Sequence, residues 1–163
     1  MICISATSKF LAKRNICEDV IDVNRINSKE IWYLNEIIID RRKTWVFMND
    51  WSHFSFIKIG MLANDEERLY DHFMNGMIMS MKEVGLTKRQ ISEFVSEGES
   101  VKIIKCSNLS KIASLSDLCK RYKEQILYSE KDISSILNDI NQMPQGGIGM
   151  DTPLRMIQKE TNA

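Results

Sequence analysis

Four charged residues in a row, Asp40-Arg41-Arg42-Lys43, stand between an apolar run that enters, Ile37-Ile38-Ile39, and an aromatic-rich run that leaves, Trp45-Val46-Phe47. Adjacent arginines offer bidentate hydrogen bonds to phosphate or carboxylate, so Arg41, Arg42 and Lys43 form a candidate grip for an anion. The plainer reading is a solvated turn in which Asp40 pairs with a neighbouring arginine, since turns are polar by default. Asn35 and Asn49 flank the knot as candidate ligand-binding amides; the structural alternative is that they bond the backbone of adjoining loops. His53 and His72 are the only histidines. Acid–base chemistry needs such a ring beside a carboxylate or thiol, and nothing in the spacing supplies one. His53 therefore enters as a possible member of a binding surface with the basic knot. Cys106, at a strand end before a helix start, is a candidate nucleophile whose pKa a helix dipole would lower; a buried apolar cysteine is the alternative. Cys3, Cys17, Cys106 and Cys119 form no C-x-x-C pair and no zinc-ligand spacing, so neither metal nor cofactor is expected.

Elements must position these groups. Residues 1–5 read as a short strand, and Ser5 or Thr7 can cap a first helix. Residues 16–29 show no period and read as a loop. The β-branched and aromatic runs 31–39 and 44–49 read as a hairpin around the knot. Arg-Arg suits a two-residue turn poorly, because that turn needs positive φ twice. The expectation is a three-residue loop, Arg41 to Lys43, pairing Ile39 with Trp45, Ile37 with Phe47 and Asn35 with Asn49. Residues 53–59 alternate as a third strand of this region, and 100–106 is a further strand candidate.

The remaining chain is helical. Asn64 is expected to cap a long helix whose stripe is Leu69, Phe73, Met77 and Met81, with Met79 outside it as a possible interface residue. Thr87 and Gln90 form a capping box that opens a short helix to about residue 97, closed by Gly98. Helices follow over about 109–128 and 130–142. A glycine-containing loop and a last helix opened by Pro153 come at the end. Segregated strands and helices predict an α+β fold, with a mainly antiparallel sheet and helices packed on one face. Residues 1–143 form the domain, with 144–163 packed on it.

Composition bounds the function. The chain has 163 residues, 44% hydrophobic and 27% charged, enough for one core without staples. Its 22 basic and 22 acidic residues cancel, so nucleic-acid binding would need a local patch such as Lys102 to Lys123. No run approaches the roughly 18 apolar residues of a membrane span, and the N-terminal apolar segment is too short for a signal peptide. These features predict a cytoplasmic protein with reduced thiols.

The spacing W-x-x-N-x-x-x-x-D-R-R-K-x-x-x-F-x-N, carried by Trp32, Asn35, Asp40 to Lys43, Phe47 and Asn49, resembles an uncharacterised bacterial domain family. Its members are stand-alone proteins of this length, many on plasmids and prophages. The stretch KCSNLSKIASLSDLCKRYKEQI is similar to that family's second signature, a strand leading into a Ser-rich helix start. There the chain departs, with Asn-Leu-Ser-Lys and Ala-Ser where the family tends to an Arg-Ser pair and a Gly. The resemblance spans about residues 1–140 and implies a shared fold without an activity. Two functions are then expected. The first is a non-enzymatic interaction protein of a mobile element, with a protein partner in a toxin–antitoxin, phage-defence or counter-defence setting. The second is an RNA- or DNA-binding protein or nuclease using Arg41, Arg42, Lys43 and His53. Convergence of the hairpin tip, His53 and the 102–123 lysines on one concave surface would favour the second.

Overall fold

The computed structural model describes residues 1–14, 16–95 and 101–162. The element order is β1 (Ile2–Ala6), α1 (Ser8–Ala12), β2 (Ile31–Ile39), β3 (Arg42–Asn49), β4 (Ser55–Ile59), α2 (Leu69–Glu83), α3 (Lys88–Ser92), β5 (Val101–Lys105), α4 (Leu109–Tyr128), α5 (Ile133–Asn141) and α6 (Pro153–Thr161). The strands form one sheet in the order β4-β3-β2-β1-β5. β2, β3 and β4 are antiparallel neighbours and carry the longer ladders; β1 runs parallel to both β2 and β5. The fold is α+β. The expected closure of the short helix by Gly98 and the first residue of the 100–106 strand lie outside the described residues. No described helix is long and apolar enough to cross a membrane.

The hairpin register differs from the expected one. Asp40 and Arg41 both take positive φ, 47° and 63°, and form a two-residue turn. Ile39 then pairs with Arg42, Ile37 with Thr44, and Leu34 with Phe47. The shift is three residues, an odd number, so it exchanges the faces of one strand relative to the other. Trp45 and Phe47 join Trp32 and Leu34 on one face, while Tyr33 joins Val46 and Met48 on the other. All four residues Trp32, Leu34, Trp45 and Phe47 are fully buried. Burying such large side chains is worth about 1.5–3 kcal/mol each, which outweighs the ~1–2 kcal/mol of one left-handed arginine.

Helices cover both faces of the sheet, where one covered face was expected. Phe73, Met77 and Met81 of α2, Ile91 of α3, and Leu154 and Ile157 of α6 close over Ile2, Ile4, Trp32 and Phe47. Leu115, Leu118, Cys119 and Tyr122 of α4 close over Cys3, Tyr33, Val46 and Met48. The reason is in the strands: every residue of β1, and every residue of β3 after Arg42 and Lys43 at its start, is buried, which requires cover on both sides.

The caps follow side-chain chemistry. Thr7, Asn108, Asp132 and Thr152 each accept a backbone N–H at the start of α1, α4, α5 and α6, and Thr87 with Gln90 completes the capping box of α3. Asn64 makes no such bond. Asp65 instead accepts the N–H of Leu62 at 2.6 Å, and a 3-10 turn over Asp65–Arg68 precedes α2.

Candidate functional site

β1 leaves the sheet after Ala6, which pairs with Leu34, while β2 continues to Ile39. The lane beside residues 35–38 is therefore vacated. α1 rises from one side of that lane and α4 passes on the other. Lys9 and Lys13 of α1 and Lys120 and Lys123 of α4 line the resulting groove, with Asn35, Glu36, Ile37 and Ile38 along its floor; its volume is about 310 Å³. All four lysines are exposed. Lys13 reaches Glu36 at 4.0 Å, and among the described residues Lys9, Lys120 and Lys123 meet no carboxylate. Glu36 is itself committed: it is buried in an ion pair with Arg14 and accepts the Trp45 indole N–H at 3.0 Å. The groove thus offers several unpaired ammonium groups on both sides of an extended backbone, a setting for a polyanionic or acidic ligand.

The hairpin tip continues this edge. Arg41, Arg42 and Lys43 are exposed and form no ion pair among the described residues, nor does Asp40. The turn is thus solvent-exposed, and the internal Asp40–Arg pair is not formed among the described residues. Asn35 sits at the head of the groove, where its Oδ1 accepts the Thr7 hydroxyl at 3.1 Å and the Glu36 N–H at 2.9 Å. Asn49 is fully buried and structural: its Nδ2 donates to the carbonyls of Lys29 and Ile31, and its Oδ1 accepts from Trp51 N and Ser52 N. The two asparagines lie on opposite faces of the sheet and do not meet, contrary to the expected pairing.

His53 lies past the other end of β3, an eight-residue strand, so on the order of 25 Å separates it from the tip. It is not the start of β4, which begins at Ser55; its φ of 56° turns the chain there. The ring is buried between two partners. Lys111 Nζ donates to His53 Nε2 at 3.0 Å, and Nδ1 stands 3.0 Å from Gln145 Oε1. An ammonium has no lone pair to offer, so Nε2 must accept. Nδ1 then carries the proton and donates to Gln145. Burial and the Lys111 charge hold the ring pKa below its usual value. Lys111 also donates to the Asp50 carbonyl at 2.6 Å and pairs with its carboxylate at 3.3 Å, and that carboxylate accepts the Tyr33 hydroxyl at 2.8 Å. Burial and Asp50 push the Tyr33 pKa far up. With both ring nitrogens occupied, the His53 network clasps the β3–β4 turn to α4 and to the loop at Gln145. A cavity of only about 70 Å³ adjoins it, room for little more than water.

Cys3, Cys106 and Cys119 are buried, Cys17 is exposed, and all four thiols are free. Burial pushes Cys3 and Cys119 up to about 11. Among the described residues no group of three or more His, Cys, Asp or Glu side chains could hold a metal ion.

Reading the sequence alone singles out Lys120 and Lys123 within a basic segment but passes over Lys9 and Lys13. Their i,i+4 spacing on α1 is the signal. Asp50 and Gln145, the partners that explain Lys111 and His53, carry no local signal, because 92 residues separate His53 from Gln145.

With this geometry in view, the class of protein is an α+β domain with an open basic groove and no described catalytic cluster. The chain belongs to the family described as a domain of unknown function, DUF6933, which it matches over residues 3–156. No curated protein is similar enough to count as a relative.

Proposed function

We propose that the protein is a non-enzymatic binding protein whose lysine-lined groove takes the acidic surface of a protein partner. The observation that carries this is the placement of Lys9 and Lys13 on one side of the β2 edge and Lys120 and Lys123 on the other, with the Glu36 carboxylate paired to Arg14, which Glu66 shares, and approached by Lys13. Bacterial mobile elements, in a toxin–antitoxin, phage-defence or counter-defence setting, are the proposed context; the support for it is the motif resemblance alone. A reversal of charge tests the groove. Lys120→Glu with Lys123→Glu is expected to abolish cross-linked capture of a partner from the encoding organism, while Lys88→Glu on the remote α3 leaves it intact. Equal capture by both variants contradicts the reading.

Nucleic acid is the second reading, supported by the exposed cations of Arg41, Arg42 and Lys43 beside the same groove. The distance from the tip to His53 removes the single concave surface that a nuclease built from both would need. An affinity for oligonucleotides that falls steeply and log-linearly with salt would favour this reading over the first.

A further inference from the structure

We propose that the partner segment is an extended, acidic stretch of polypeptide that adds to β2 as a strand, an inference that rests on the acidic-partner reading and specifies how the groove is filled. The hairpin geometry fixes which backbone groups face the groove. In a two-residue hairpin the closing pair, here Ile39 and Arg42, exchanges hydrogen bonds. Ile39 and Ile37 thus face β3, and Ile38, Glu36 and Leu34 face the other way. Leu34 confirms the direction: its carbonyl accepts the Thr7 N–H at 3.1 Å, the last bond from the β1 lane. The Glu36 N–H is taken by Asn35 Oδ1. The Glu36 carbonyl and both backbone groups of Ile38 remain directed into the vacated lane, without a partner among the described residues.

The outer edges of the sheet are treated differently. At β5, Asp19 N donates to the Ile103 carbonyl and Asp19 Oδ2 accepts the Ile103 N–H, both at 2.8 Å. At β4, the Asn141 side chain bonds both backbone groups of Ser55 at 2.9 Å. Each interrupts its edge with a strand-like pair of bonds, the usual protection against pairing with other chains. Residues 36–38 have no such plug.

Their flanks select the guest. Side chains of an added strand point alternately to the two faces of the sheet, and the lysines stand on both, so carboxylates of either parity meet a cation. Ile38, 47% exposed, offers an apolar contact between them. A second copy of this chain would bring the same lysines against each other, which disfavours self-pairing. The groove lining holds no aromatic ring on which a nucleic-acid base could stack.

The test uses a capped octapeptide of Glu and Val, the same peptide N-methylated at its four central residues, and an oligothymidine of equal charge. Ile38→Pro removes the one lane-facing N–H that is free, at an edge position where proline is tolerated, and its melting temperature reports whether the fold is kept. The expected result is binding of the plain peptide at low salt, slowed hydrogen exchange at the Ile38 amide, and affinity about tenfold or more weaker for the N-methylated peptide and for Ile38→Pro. Equal affinity for the plain and N-methylated peptides, with no protection at Ile38, overturns strand addition while the acidic-partner reading stands. Preference for the oligothymidine, or no peptide binding at all, overturns both.

Discussion

A neutral histidine between an ammonium and an amide makes a pH-sensitive joint. His53 has a folded pKa below its ordinary 6.5. As pH falls through that ordinary value the unfolded ring takes up a proton and the folded ring does not. Stability from this group is therefore complete above about 6.5 and is lost as pH drops toward the lowered folded value. Wild-type protein should lose more melting temperature between pH 7 and pH 5 than His53→Gln does. Equal losses in the two proteins would mean that the ring is free to protonate in place. His53 was visible in the sequence as one of two histidines. Its role was not, because its partners Lys111 and Gln145 come from a later helix and a loop near the C-terminus.

The hairpin shows what local sequence settles and what tertiary packing overrides. Both strands were legible from their β-branched and aromatic runs. The turn was not, since Arg at positive φ breaks the turn preference, and only the burial of Trp45 and Phe47 against Trp32 and Leu34 explains it. Arg41→Gly removes the left-handed penalty and should stabilise the protein by up to about 1 kcal/mol, offset in part by the entropy that glycine adds to the unfolded chain. Urea unfolding measures it; destabilisation by 1 kcal/mol or more would show that the Arg41 side chain holds the turn through contacts of its own. The extent of α4, Leu109–Tyr128, and the start of α6 at Pro153 were, by contrast, legible in the sequence, the first from its apolar period and the second from a proline suited to the first helical position.

At the scale of the molecule, zero net charge hides an uneven distribution. The cations of α1 and α4 gather around one vacated lane of the sheet, and those of the hairpin tip follow the end of its β2 floor, a juxtaposition made by β1 ending at Ala6 while β2 runs on to Ile39. The α+β class followed from the order of elements. The covering of both sheet faces did not, since a continuous apolar run such as Ile2–Ile4 does not say which side a later helix will take. The most direct test of the groove is a titration of isotope-labelled protein with the capped Glu–Val octapeptide, read by amide chemical shifts. The account predicts shifts concentrated at residues 35–38, 9–13 and 120–123, with the amides of His53 and Gln145 unmoved. Shifts scattered over the surface, or centred on the His53 clasp, would contradict it.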